Sequence, residues 1–474
     1  MTTYIFIKEL QNYLLSRSIL FTYGVIIALF VLNASVYVFQ SQDVIKKHED
    51  NVAMNYQNLI YDEQMRLYMG KEVVRTLPSM VNLRQKIHHR PSTLLFMSGT
   101  AEGIVPDGVS MQMLEEPDFE SFAQYNPHIN PSLSIDWTTI MIYVICFLCI
   151  CFSYNAFSGE REDGTLKLML SNSMSRSSII FAKYLGLLVV FLIPILIGII
   201  ISCLIFEISP AVHLQSADYA KIGWFFLVSV LMVSLTIMLG FIVSSLVKSS
   251  YVSLIICLLC WTLMAIVIPN VSWIVSNQTD KVPTESAIRQ EENQQINALQ
   301  DCYMGWRSPN TPEQMARDRK DCIDRRTAIH NNLWSDYHNR QMTQTNQAIE
   351  FSKISPFGLF RFLGDKISGN NFHGYVNFFR QVKNYQLTFH DYVVSKDNAD
   401  PESRHLFWNE DPWSYGSFMS QQQIVPGEVP QFTAQSQTFR ELVTSSLVDV
   451  AILCFWVIGL FAASFVAFVR YDVR

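Results

Sequence analysis

Ser158-Gly159-Glu160-Arg161-Glu162-Asp163-Gly164-Thr165-Leu166-Lys167-Leu168-Met169-Leu170-Ser171, running on to Ser175-Arg176 and Lys183, is a charged, glycine-punctuated stretch between two apolar runs. The runs cover residues 135–156 and 184–206. About twenty apolar residues at 1.5 Å rise cross the hydrocarbon of a bilayer, and both runs are long enough. A polar segment held between them has to lie at a membrane face. Its composition can therefore report which face, and what docks there.

Four more runs of the same kind lie outward from it, at residues 18–39, 222–247, 251–270 and 442–469. Residues 1–17 carry Lys8, Glu9 and Arg17 among apolar residues and read as an amphipathic surface helix. The polar stretches 40–134 and 271–441 are large insertions, 157–183 is the connector, and 470–474 is a short tail. Half of the 474 residues are hydrophobic and only 16% are charged, against about 25% in a soluble domain. The expected fold class is an all-α polytopic membrane protein. It has six transmembrane helices and a mainly helical extracytoplasmic domain built from two insertions.

Finer features follow from local chemistry. Apolar residues at near-helical spacing from Gln42 to Thr76 predict a long helix continuing out of the first span. Prolines at 78, 91, 106, 117, 127 and 131 then predict an irregular segment. Trp137 reads as an interfacial anchor. Pro194 predicts a kink in the third span, and Pro269-Asn270 the end of the fifth. Residues 283–351 read as two helices broken near Ser308-Pro309-Asn310. Beyond Ser355-Pro356 the chain reads as aromatic-rich and loop-rich, with Trp408, Trp413 and Tyr415 assigned to core.

Six spans put both termini and the connector on one side. That side holds nine basic and five acidic residues, leaving 26 of the 35 basic and 36 of the 41 acidic residues for the other. Lys and Arg near span ends mark the cytoplasmic face, so the termini and connector are expected in the cytoplasm and both insertions outside. Seven of the nine cysteines lie in spans; only Cys302 and Cys322 lie in an insertion. In an oxidising compartment this pair is expected to form a disulfide, worth about 3 kcal/mol for a loop of that size. The alternative is two separate thiols in helix cores.

The chain lacks G-x-x-x-x-G-K-[ST], H-E-x-x-H and G-x-S-x-G. It is not expected to bind ATP by a P-loop or to be an enzyme. All ten histidines fall on the external side without i,i+4 pairing, which favours scattered solvated side chains over a metal site. The spans hold almost no ionisable residues, which argues against an ion-coupled pathway and for an external energy source.

Glu160-Arg161-Glu162-Asp163-Gly164-Thr165-Leu166-Lys167-Leu168-Met169-Leu170-Ser171, followed by Ser175-Arg176 and Lys183, resembles the cytoplasmic segment of ABC-2 type transporter permeases. The proline often found before the Ser-Arg pair is absent; Ser173-Met174 stands there. Ile354-Ser355-Pro356 before Leu359 is similar to an element of permeases related to the copper-maturation type. The ending from Phe468 to Arg474 resembles the subgroup with large extracytoplasmic insertions after the first and fifth spans.

The resemblance implies a multi-pass permease subunit of the bacterial inner membrane with cytoplasmic termini. It implies a homodimer or heterodimer with a second permease, engaged with a cytoplasmic ABC ATPase dimer that binds the ATP and Mg. It also implies that the connector is a coupling helix. ATPase docking then falls on Glu160, Arg161, Glu162, Gly164, Thr165, Leu166, Leu168, Leu170, Ser175 and Arg176. Read without the resemblance, the same stretch is equally well a membrane-surface helix with no partner. The function expected is export of an unidentified substrate. The alternative is an ATP-driven force transmitter acting on periplasmic partners, with nothing crossing the bilayer. Membrane lipid and a periplasmic partner fit either; nucleic acid fits neither.

Overall fold

The computed structural model describes residues 2–99, 106, 108–119, 135–165, 175–210, 212–279, 281–299, 311–406, 418–435 and 437–470. Helices α1 (Thr2–Leu14), α2 (Arg17–Ile60), α3 (Glu63–Met69) and α4 (Leu77–Val81) lead into strands β1 (Gln85–His88), β2 (Gly108–Met111) and β3 (Asp118–Phe119). Then come α5 (Trp137–Glu162), α6 (Arg176–Ile208), α7 (Ser216–Leu246) and α8 (Ser250–Thr279). The chain continues through α9 (Glu285–Asn297), α10 (Pro312–Ser352), α11 (Pro356–Ser368), α12 (Phe372–Asn398) and α13 (Phe439–Val469). Six of these, α2, α5, α6, α7, α8 and α13, are long and apolar enough to cross a membrane. The fold is a polytopic all-α bundle with a mainly helical region built from the insertions after the first and fifth spans.

The span bundle packs around α7, whose Phe225, Met232, Leu235, Ile237, Met238 and Phe241 are all buried. Lipid tails are as apolar as these side chains, so close packing holds such helices together more than water exclusion does. Small residues permit it. A Cβ on Gly198 of α6 would lie 2.8 Å from Phe30 Cγ of α2. Hydroxyls inside α7 are satisfied locally: Ser229, Ser234 and Thr236 each donate to the carbonyl four residues back.

The two insertions share one hydrophobic core. It draws Leu59 and Ile60 from α2, Ile87, Val109, Met111 and Phe119 from the strands, and Phe378, Val382 and Phe389 from α12. The three strands form an antiparallel sheet with Gln85 opposite Met111 and Val109 opposite Phe119. Polar groups join the insertions as well: Tyr385 Oη donates to Gln85 Oε1 at 3.0 Å.

Several expectations need correction. Helix α2 stops at Ile60 and does not reach Thr76. Leu59 and Ile60 enter the insertion core there, and the chain doubles back so that Tyr61 bridges Val74. Trp137 is not an interfacial anchor. Its ring is fully buried, 4.8 Å from that of Phe96 and 5.4 Å from that of Phe30. It is covered because residues 94–97 fold inward from the first insertion, placing Leu94, Phe96 and Met97 in the span core.

Pro194 lies inside helix α6 without ending it, as the expected kink allows. Helix α8 likewise passes Pro269 and continues to Thr279. A π-helical turn at Leu263–Val267 makes this possible, with Ile268 N–H bonded to the Leu263 carbonyl five residues back. The matching donor for the Met264 carbonyl would be residue 269, a proline with no N–H. The Ser355 hydroxyl donates to that carbonyl instead.

The stretch after Ser355 is helical rather than loop-rich. Ser355 caps α11, and α12 places Tyr375, Phe378, Phe379, Val382, Tyr385 and Phe389 on one buried face. The aromatic residues follow a helical period that their neighbouring Gly and Asn residues obscure. Trp408, Trp413 and Tyr415 lie outside the described residues, as does the break at 308–310.

The histidines are not all solvated: His338 is 2% exposed and its ring lies 4.1 Å from that of Phe119. Among the described residues no group of three or more His, Cys, Asp or Glu could hold a metal ion. The last span carries a buried acid, Asp449, which pairs with Lys353 at 3.5 Å and Lys366 at 3.4 Å.

Candidate functional site

The connector begins in the last turn of α5, and three consecutive side chains there point to three different elements. Successive residues on a helix are about 100° apart, so Glu160, Arg161 and Glu162 fan outward. Glu160 Oε1 accepts from Lys183 Nζ of α6 at 2.7 Å, and the same ammonium donates to Glu9 Oε1 of α1 at 3.1 Å. The Lys183 side chain is only 5% exposed. Its charge is held between two carboxylates, the arrangement a buried cation requires.

Arg161 reaches the C-terminal end of α7, donating to the Val247 carbonyl at 2.8 Å and the Ser245 carbonyl at 3.1 Å. Glu162 reaches the N-terminal end of α8, accepting from Ser250 N–H at 3.0 Å and from the Ser250 hydroxyl at 2.7 Å. A cation on helix-terminal carbonyls and an anion on helix-terminal N–H groups are both favoured by the macrodipole and by the orphaned end groups. One step earlier, the backbone N–H groups of Phe157 and Ser158 both donate to Ser244 Oγ of α7 at 3.0 Å.

The far end of the connector does the same for α13. Ser175 caps α6, accepting from Ser178 N–H at 3.3 Å. Arg176 then donates to the carbonyls of Phe468 and Val469 at the C-terminal end of α13. The Phe468 ring lies 4.6 Å from that of Phe157. The connector is thus tied to α1, α6, α7, α8 and α13.

Gly164 adopts φ +72°, a left-handed conformation open to glycine without strain, and ends the turn. Thr165 is exposed, with its hydroxyl bonded to the Glu160 carbonyl at 3.2 Å. Leu166, Leu168 and Leu170 lie outside the described residues. Of the residues expected to face an ATPase, Glu160, Arg161, Glu162 and Arg176 have partners within the chain, while Gly164 and Thr165 sit at the outer surface. Glu9, Ser244 and Ser250 were not foreseen. The one signal was Lys183, a cation at the head of an apolar run that must find carboxylates once buried.

The match with known proteins agrees with this architecture. Residues 3–473 match the family described as ABC-2 family transporter protein. The chain belongs to that family, a polytopic membrane permease with large non-membrane insertions. No curated protein matches it.

Proposed function

We propose that the chain is the permease subunit of an ABC-2 exporter. A separate cytoplasmic ATPase docks on the connector, and the movement it imposes drives export. The observation that carries this reading is the convergence of the connector's polar groups on five helices: the ends of α7, α8 and α13, and, through Lys183 of α6, Glu9 of α1. A rigid displacement of residues 157–176 pulls on Lys183, on the carbonyl end of α7, on the N-terminus of α8 and on the carbonyl end of α13 at once. A loop bound only to its own flanking helices would move alone.

In this reading the termini and the connector face the cytoplasm, as the excess of Lys and Arg on that side suggests. Docking in this reading falls on Leu166, Leu168 and Leu170, which follow exposed Thr165 in the sequence. The sequence carries no P-loop, so in this reading ATP and Mg belong to the partner, and the permease works as a dimer.

The test is Leu166→Asp in the permease co-expressed with its ATPase. A charge among these leucines is expected to abolish co-purification of the ATPase. Retained co-purification with normal ATP hydrolysis refutes the docking role. The Cys302–Cys322 disulfide is proposed on compartment grounds. The other seven cysteines are free thiols, and Cys302 lies outside the described residues. Thiol labelling of denatured chain is expected to modify seven cysteines before reduction and nine after it; nine before reduction excludes the bond.

One observation favours the force-transmitter alternative. Helix α2 spans 44 residues without a break, about 66 Å at 1.5 Å per residue against a hydrocarbon of about 30 Å. It couples the membrane rigidly to the insertion core. ATP-dependent movement of a labelled substrate across proteoliposomes supports export. Hydrolysis with motion of the insertions but no transfer supports transmission.

A further inference from the structure

We infer that the insertion domain carries a binding cleft for a phospholipid with a zwitterionic, amine-bearing head, placed where α2 leaves the membrane. The cleft, about 680 Å³, lies between α2 and the segment around Arg90. Ile45, Val52 and Tyr56 supply an apolar wall at positions i, i+7 and i+11 of one helix face. Val52 is 51% exposed and Tyr56 39%. Ile45 lies six residues past the end of the first apolar run, about 9 Å along the helix axis. The wall is therefore beyond the hydrocarbon but within reach of a lipid lifted from the near leaflet.

The polar groups select the head. Arg90 and Glu49 both line the cleft, yet among the described residues they form no ion pair with each other or with any third group. A guanidinium with its fork unpaired suits a phosphate. A carboxylate nearby accepts hydrogen bonds from a primary ammonium. One ligand carrying both charges satisfies both groups, whereas a simple anion leaves Glu49 opposed. His48 of α2 also lines the cleft, and its pKa is held below the ordinary imidazole value by burial and then by Arg90, against the opposing effect of Glu49. The chain leads directly from the cleft to the bundle. Thr93 lines the cleft, and the next residues, Leu94 to Met97, are those buried over Trp137 in the span core. A head bound at Arg90 thus sits on the segment that leads into the residues packed over Trp137.

The proposal deepens the exporter reading by naming a substrate class. Its test uses the purified full-length permease without ATPase or ATP, so failure here leaves the docking experiment untouched. The probes are lysophosphatidylethanolamine, lysophosphatidylcholine and lysophosphatidylglycerol, with inorganic phosphate as competitor. Saturable binding is expected for the first. Arg90→Ala is expected to weaken all lipid binding about tenfold, the loss of one charge-assisted hydrogen-bonded contact. Glu49→Gln is expected to weaken only the ethanolamine lipid, because choline has no N–H to donate and glycerol no ammonium. Both substituted side chains are exposed, so folding is preserved; Val52→Asp, on the apolar wall, provides a third lesion. Equal binding of all three lipids unaffected by Glu49→Gln overturns the assignment. So do the absence of saturable binding and displacement by inorganic phosphate alone.

Discussion

Replacing Lys183 with Met is expected to destabilise the chain by about 3–5 kcal/mol, the cost of removing one partner from a buried charge cluster. The ammonium sits between Glu9 at 3.1 Å and Glu160 at 2.7 Å, and both carboxylates are less than a quarter exposed. Without Lys183 two like charges face each other across the packing of α1, α5 and α6, with no cation to offset them. The check is thermal unfolding of the detergent-solubilised protein, with ATPase stimulation measured in the complex. The triple variant Glu9→Gln, Glu160→Gln, Lys183→Met removes all three charges and is expected to recover most of the lost stability. If the single variant melts like the wild type, the cluster does not hold the connector.

The second large effect is expected at Gly240→Val. Gly240 of α7 faces Ser153 of α5 so closely that an added Cβ would lie 2.7 Å from Ser153 Cβ. Both helices are buried at this point, and neither backbone can retreat without opening the contacts of Phe241 or Ile150. Overpacking of this kind costs about 1–3 kcal/mol or more, and in a bundle held by close packing it also separates the helices. Gly223 of the same helix has nothing within 4 Å of an added Cβ. Gly223→Ala is therefore expected to be neutral or stabilising, since alanine favours a helix by about 1 kcal/mol over glycine. A lowered melting temperature at Gly240 with none at Gly223 bears out the close approach; equal losses refute it.

Legibility in the sequence differs by element. The six spans were visible because hydrophobic length is a local property, and α9 and α10 because helical periodicity is local too. Pro269 misled because a proline normally ends a helix, whereas here a π turn and a hydroxyl from Ser355 replace the missing bond. Trp137 misled because its position at a span end suits lipid headgroups as well as it suits a lid made of residues 94–97. The choice depends on a segment forty residues away. The pairing of β1 with β2 joins His88 to Gly108 and Gln85 to Met111 across an intervening segment, which four-residue strands cannot announce.

The connector shows the division most clearly. Sequence alone determined that Glu160, Arg161 and Glu162 lie at a membrane face between two spans, because hydrophobic run lengths and charge counts need no neighbours. Only the tertiary structure decided what those charges meet: Lys183 and Glu9, the carbonyl end of α7 and the N–H end of α8. A helix terminus is a polar site only once its helix is folded and its end brought alongside. The residues that satisfy it are then chosen by packing, from segments as much as 293 positions away, as with Arg176 and the Val469 carbonyl.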